Sequence, residues 1–213
     1  DGKQVVYTRS GYDIMSDRSK KSLWLYDTKS DAHIPLFADQ HSYSSPRWSP
    51  DGTRIAFISN RSGSTQIHML WLQQNKSALL SQLPKSVSNL SWSPDGSQLA
   101  FTMRVPEGKS DFVKSVKLPK KPQGANWSEP VTVIDKARYQ ADGRGFIEPS
   151  YSHVFVLPAD GGAARQITLE DFQHSGPLSW SPNSKELVYS SDKHPQWEYR
   201  PPNQICTALI CTQ

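Results

Sequence analysis

The chain has 213 residues, 36% of them hydrophobic and 10% aromatic, which suffices for one domain with a real core. Its net charge of +4 is modest, and no apolar run approaches the roughly 20 residues of a membrane span. Neither a membrane span nor a nucleic-acid partner is therefore expected. The basic stretch Lys109, Lys114, Lys117, Lys120 and Lys121 alternates with Ser, Pro and Val, lacks an aromatic platform, and reads as a solvated loop. Cys206 and Cys211 are too few for a disulfide framework, and nothing beside them has metal-ligand spacing. No cofactor or metal is expected. The chain reads as soluble, with cytoplasm and periplasm both open as compartments. It begins at Asp1 with no Met and no leader-like segment, so a natural start further upstream is expected.

In chain order, Asp1-Gly2 precedes a strand pattern from Gln4 to Thr8, followed by further strands at Ser22 to Tyr26 and Ile34 to Phe37. Then comes the string Trp48, Ser49, Pro50, Asp51, Gly52, leading into the apolar run Thr53 to Ser59. Strands at Gln66 to Leu72 and Ala78 to Leu83 complete the unit. The string returns as Trp92, Ser93, Pro94, Asp95, Gly96, with a run from Ser97 to Thr102 behind it. A third, altered copy, Trp180, Ser181, Pro182, Asn183, Ser184, precedes Lys185 to Ser190. Trp48 and Trp92 are 44 residues apart, and Trp180 follows 88 further on, twice that interval. An insertion from about Val105 to Ser152 accounts for the doubling, with strands at His153 to Leu157 and Arg165 to Thr168 after it.

Each copy has the chemistry of a hairpin. Asp-Gly tolerates the positive φ of a tight turn, and the Pro ahead of it fixes φ and removes a ladder donor. The β-branched and aromatic run behind suits a buried, pleated strand. Four short strands per period of about 40–45 residues describe a propeller blade. The expected fold is all-β, a partial propeller of about three and a half to four four-stranded blades. The blades fall at about 1–43, 44–86, 87–170 and 174–213, the first lacking its first strand and the last incomplete. The repeated tryptophans are expected to fill the space between neighbouring sheets. So few blades cannot close a ring, so strand edges would be left bare. Self-association, or completion by a further domain, is the expected remedy.

The repeat resembles that of the Tol translocation protein B and of the N-terminal domains of the prolyl oligopeptidase family of serine peptidases. Two further segments bear on the choice: Asp142, Gly143, Arg144, Gly145, Phe146 in the insertion, and Pro158, Ala159, Asp160, Gly161, Gly162 with Arg165, Gln166, Ile167, Thr168 behind it. Their order is similar to the acylaminoacyl-peptidase and dipeptidyl-aminopeptidase branch of that family. The resemblance implies a propeller that caps an α/β-hydrolase domain and admits only short peptides to its Ser-Asp-His triad. No Gly-x-Ser-x-Gly nucleophile elbow occurs here. The chain is thus expected to be a non-catalytic, substrate-gating portion of such a peptidase. The alternative is a stand-alone binding propeller of the Tol translocation protein B type, against which the long insertion argues. A propeller lyase or glycosidase would need paired carboxylates or a His cluster at equivalent blade positions, and none recurs.

No catalytic residue is expected within these 213 residues. Arg47, Asn89, Ser91 and Ser179 lie on first strands and are candidates to line a central channel, Arg47 by attracting a peptide carboxylate. Arg144 and Glu148 are candidates to position the insertion at an interface; an exposed loop with charged tips is the plainer reading. Asn-x-Ser sequons at Asn60, Asn75, Asn89 and Asn126 are expected by chance in so Ser-rich a chain. The last segment, Gln204 to Gln213, departs from the third-strand pattern. A shifted reading frame would restore Asp-Leu-Tyr there, so a frameshifted end and ordinary tail residues both stand open.

Overall fold

The computed structural model describes residues 2–107, 120–128, 139–142, 145–193 and 204–210. Four antiparallel sheets follow one another along the chain. Sheet I contains β1 (Gln4–Asp13), β2 (Arg18–Asp27) and β3 (Ala32–Phe37). Sheet II contains β4 (Tyr43–Trp48), β5 (Arg54–Ser59), β6 (Gln66–Trp71) and β7 (Lys76–Leu79), in that order. Sheet III begins with β8 (Val87–Trp92) and β9 (Gln98–Pro106). The small hairpin β10 (Gln140–Ala141) and β11 (Gly145–Phe146) then intervenes. Sheet III resumes with β12 (Ser150–Pro158) and β13 (Arg165–Gln166). Sheet IV holds β14 (Gln173–Trp180), β15 (Glu186–Asp192) and β16 (Gln204–Leu209). Among the described residues no sheet closes on itself, and the arrangement is propeller-like: β4 lies against β8, and β8 against β14.

The interior strands are apolar on both faces because each is sandwiched between two neighbouring sheets. In sheet II, Ile55, Phe57 and Leu70 pack toward Leu23 of sheet I. The alternating residues Ala56, Ile58, Ile67 and Met69 pack toward Leu99 and Phe101 of sheet III. A third cluster joins Val154 and Val156 of sheet III to Leu187 and Tyr189 of sheet IV. Each buried Leu, Ile or Phe stabilises the stack by about 1.5–3 kcal/mol relative to exposure.

The first strand of sheets II, III and IV carries a bulge, at Ser44/Arg47, Ser88/Ser91 and Ser175/Ser179. Within each bulge one residue takes a left-handed conformation: Ser45 (φ 50), Asn89 (φ 55) or Gly176 (φ 81).

Three points differ from the sequence reading. The hairpin β1–β2 is ten residues long on each side, well past Thr8, with Asp13 pairing Arg18. The insertion is shorter than 105–152, because β9 and β12 stay in register out to the Pro106–Ser150 pair and absorb Val105, Tyr151 and Ser152. The divergent end also forms a strand: β16 pairs with β15 from Glu186–Leu209 to Ser191–Gln204. The reason is alternation. Cys206 and Ala208 pack onto the core between sheets III and IV, while Ile205 and Leu209 point outward, 81% and 70% exposed.

Candidate functional site

Antiparallel connectivity gives the molecule two unlike rims. At one, the turn rim, lie the tight turns between first and second strands and between third and fourth. At the other, the hairpin rim, lie the connections between second and third strands and the links from sheet to sheet.

The turn rim is built by the repeated string. In sheet II the Ser49 hydroxyl donates to Asp51 Oδ1 and accepts from Arg54 N, while Asp51 also accepts from the Thr53 amide and hydroxyl. Those bonds hold the Asp51 carboxyl down to about 2, led by the one from Ser49. Ser93, Asp95, Ser97 and Gln98 repeat the pattern in sheet III. In sheet IV, Asn183 takes the place of the aspartate, accepting from Ser181 Oγ (2.6 Å) and Lys185 N (3.0 Å). The altered third copy thus keeps its geometry, because an amide oxygen accepts where a carboxylate oxygen did. Gly52 (φ 69) and Gly96 (φ 70) are followed in phase by Ser184 (φ 59). The Ser184 hydroxyl accepts from Asp95 N of sheet III (3.1 Å), joining neighbouring turns. Pro50 lies against Gly96, while Pro94 and Pro182 are exposed at the matching places in sheets III and IV.

Arg54 ties sheet II to sheet III on the same rim. Its guanidinium lies 5.1 Å from the centre of the Trp92 ring, donates to Gly96 O (3.3 Å) and meets Asp160 (3.3 Å). The three repeated indoles occupy corresponding seams. Trp48 packs between sheets I and II, Trp92 between II and III, and Trp180 between III and IV. Trp92 is buried and donates to Arg47 O, whereas Trp180 Nε1 is buried with no partner among the described residues.

The channel candidates separate. Arg47 is exposed, and its guanidinium donates to the adjacent Pro46 carbonyl. Asn89 is the left-handed bulge residue, and its amide donates to Thr102 Oγ1 (3.1 Å) in its own sheet. It is thereby committed to holding the bulge. Ser91 is half-buried and Ser179 exposed, one residue before their tryptophans as Arg47 is before Trp48.

The hairpin rim carries much of the exposed apolar surface, the outer face of β16 with Ile205 and Leu209 being another part. Tyr12, Ile14 and Met15 stand at the tip of β1–β2, 71%, 89% and 91% exposed. Phe146 of the insertion and Leu169 of the link to sheet IV add to it. Glu148 is anchored there by Lys85 (2.6 Å), which lies in the link from sheet II to sheet III. Arg144 lies outside the described residues. Sequence reasoning overlooked the β1–β2 tip. Its signal was present in the apolar residues Tyr12, Ile14 and Met15 set among Ser, Gly and Asp, too far from Thr8 to be read as the same hairpin.

Between the outer strands of sheets II and III a groove of about 470 Å³ is lined by Leu79, Leu80, Leu83, Leu157 and Ala164. Among the described residues no group of three or more His, Cys, Asp or Glu side chains could hold a metal ion. No helix there is long and apolar enough to cross a membrane.

No protein-family model matches the chain. It is 30% identical over 193 residues to a Bacillus subtilis (strain 168) protein named uncharacterized peptidase YuxL. The match covers 90% of this chain but 28% of that relative's length. The acylaminoacyl peptidase of Pyrococcus horikoshii superposes with a TM-score of 0.62 at 14% identity, covering 90% of this chain and 27% of that one. TolB from Acinetobacter baumannii superposes with a TM-score of 0.58 at 15% identity, covering 96% and 38%. The chain is an all-β unit whose fold is related to those of acylaminoacyl peptidase and TolB structures.

Proposed function

We propose that this chain is a substrate-gating, non-catalytic partial propeller of a prolyl oligopeptidase-type serine peptidase. It would comprise about three and a half to four blades, with sheets I to IV as the blades. The catalytic α/β-hydrolase domain and its triad would be supplied by residues outside these 213, and the substrates would be short peptides. The observation that carries this reading is the likeness, over 90% of the chain, to a protein named as a peptidase of which it spans 28%. The hairpin rim supports it physically, since exposed apolar side chains concentrated on one rim suit a docked domain. Glu148 and Arg144 would stand at that interface.

The test is to purify the 213-residue chain and assay N-acylaminoacyl and dipeptidyl chromogenic amides, alone and with the remaining portion of the Bacillus subtilis relative added. The reading requires no hydrolysis by the chain alone and formation of a complex with the added portion. Turnover by the chain alone would refute it.

A second reading, a stand-alone binding module of the Tol translocation protein B type, is favoured by the TM-score of 0.58 over 96% of the chain. It requires capture of an extended partner segment with no hydrolase portion present.

A further inference from the structure

The boundary between sheets III and IV contains two buried imidazoles that neither repeat chemistry nor the proposed function uses. His153 on β12 and His174 on β14 have ring centres 5.4 Å apart. They are 4% and 0% exposed. Both lie at the hairpin-rim ends of their strands, where the link from sheet III to sheet IV passes.

The repeat shows what each ring replaces. In sheet II the place of His153 is held by Gln66, whose Oε1 accepts from Ser81 Oγ (2.8 Å) while Ser81 Oγ accepts from Ile67 N. In sheet III, Thr168 Oγ1 likewise accepts from Val154 N and meets His153 Nδ1 at 3.1 Å. By the same pattern the Thr168 hydroxyl donates to Nδ1, and the proton of the neutral ring belongs on Nε2. His174 stands where sheet II has Tyr43 and sheet III has Val87, each paired with the corresponding residue of the second strand. Neither His174 nitrogen makes a well-formed hydrogen bond among the described residues, although the Glu170 backbone carbonyl lies near enough to favour the charged ring.

The surroundings do not welcome a cation. Tyr189 of sheet IV meets the His174 ring edge-on (5.5 Å), and Tyr151 of sheet III flanks His153 (6.4 Å). Ser191, opposite His174 in the ladder, is buried with its hydroxyl unpartnered among the described residues; Asp192, the next residue, is buried with Oδ1 unpartnered there too, and it is not among the charges that act on His174. Of the charged groups on the link, Glu170 is held by Lys193 of sheet IV (2.7 Å), so its attraction for an imidazolium is offset. Asp171 acts on His153 only at a distance. Burial and then the neighbouring imidazole push His174 down to about 4 against the weaker opposing pull of Glu170, and burial lowers His153 against that of the Thr168 backbone and Asp171.

We propose that His153 and His174 form an acid-sensitive contact between sheets III and IV, at which protonation places unpaired charge in the seam and frees the hairpin-rim end of sheet IV. The sign follows from linkage: a buried neutral histidine stabilises the contact above the ordinary histidine pKa of 6.5, and that contribution is lost as pH falls toward about 4.

Hydrogen exchange on the whole 213-residue chain, at about pH 7.5 and about pH 5 with intrinsic rates corrected, tests this. The proposal expects amide protection in β12, β14 and β15 to fall roughly tenfold or more, near the rim of His174. His68 lies in sheet II, so its titration is read separately in β5 and β6. His174→Phe should abolish most of the loss. His153→Gln, which installs the residue used in sheet II, should reduce it while preserving the Thr168 bond. Unchanged protection in those strands would overturn the proposal. So would an equal loss in wild type and His153→Gln, which decides the matter even where His174→Phe fails to fold.

Discussion

Trp92 of sheet III donates its indole N–H across the seam to the carbonyl of Arg47 in sheet II, at 3.1 Å. The corresponding nitrogen of Trp180 is buried without a partner among the described residues. Two indoles from one repeated string therefore differ in energy, and substitution should expose the difference. Trp92→Phe loses a hydrogen bond, part of the Arg54 contact and indole volume, and should cost about 2–3 kcal/mol. Trp180→Phe removes a donor already unsatisfied and should cost about 1 kcal/mol or less. Urea unfolding of both variants measures the gap.

The turns offer a second comparison. Gly52→Ala places a β-carbon at φ 69 and should destabilise by about 1 kcal/mol, although nothing lies within 4 Å of that carbon. Ser184 already bears such a side chain and recovers a bond from Asp95 N. Ser184→Gly should therefore change stability by less than about 0.5 kcal/mol, because backbone relief offsets the lost bond. Ser184→Ala keeps the backbone cost and loses the bond, so a fall of about 1 kcal/mol is expected. Thermal melts of the three variants check the order.

His68 gives a pH prediction distinct from the boundary of sheets III and IV. It stacks on Phe57 (5.5 Å), is 3% exposed, and burial pushes it down to about 4. Since the neutral form is favoured on folding, stability is complete above the ordinary value of 6.5 and declines as pH falls toward 4. In sheet III the matching pair is Phe101 with Phe155, stacked at 5.6 Å. His68→Phe should copy it and remove about 1–2 kcal/mol of the loss between about pH 7.5 and pH 5. Denaturant midpoints at the two pH values decide.

The tip of β1–β2 is separable from the core. Ile14→Asp and Met15→Asp alter side chains almost fully exposed, so the unfolding free energy should move by less than about 0.5 kcal/mol. Both should weaken self-association or docking of a hydrolase portion, read by sedimentation velocity. Glu148→Gln breaks the exposed pair with Lys85 and should cost about 0.5 kcal/mol or less.

The legible parts of this fold were those fixed locally. Asp51-Gly52 and Asp95-Gly96 announce their turns because carboxylate and glycine act within a few residues. The Trp spacing gave the period for the same reason. The contacts of Arg54 with Gly96 and Asp160 were not readable, since they depend on how two sheets are placed. The same holds for the pairing of His153 with His174. For Asn89 the sequence showed a place on a first strand but not the left-handed backbone and the Thr102 bond that tie it to the bulge. The hidden strand at β16 was missed because small inward residues, Cys206 and Ala208, serve where larger ones were anticipated.

Arg54 with Gly96, and Ser184 with Asp95, stitch adjacent sheets together at the turn rim, and at the hairpin rim Gln173 of β14 accepts from Ser152 N and donates to Ser150 O of β12. The seam between sheets III and IV is therefore fastened at both ends, like a hinged panel latched on its free side, and parting it at the side of Leu169 requires Gln173 to let go.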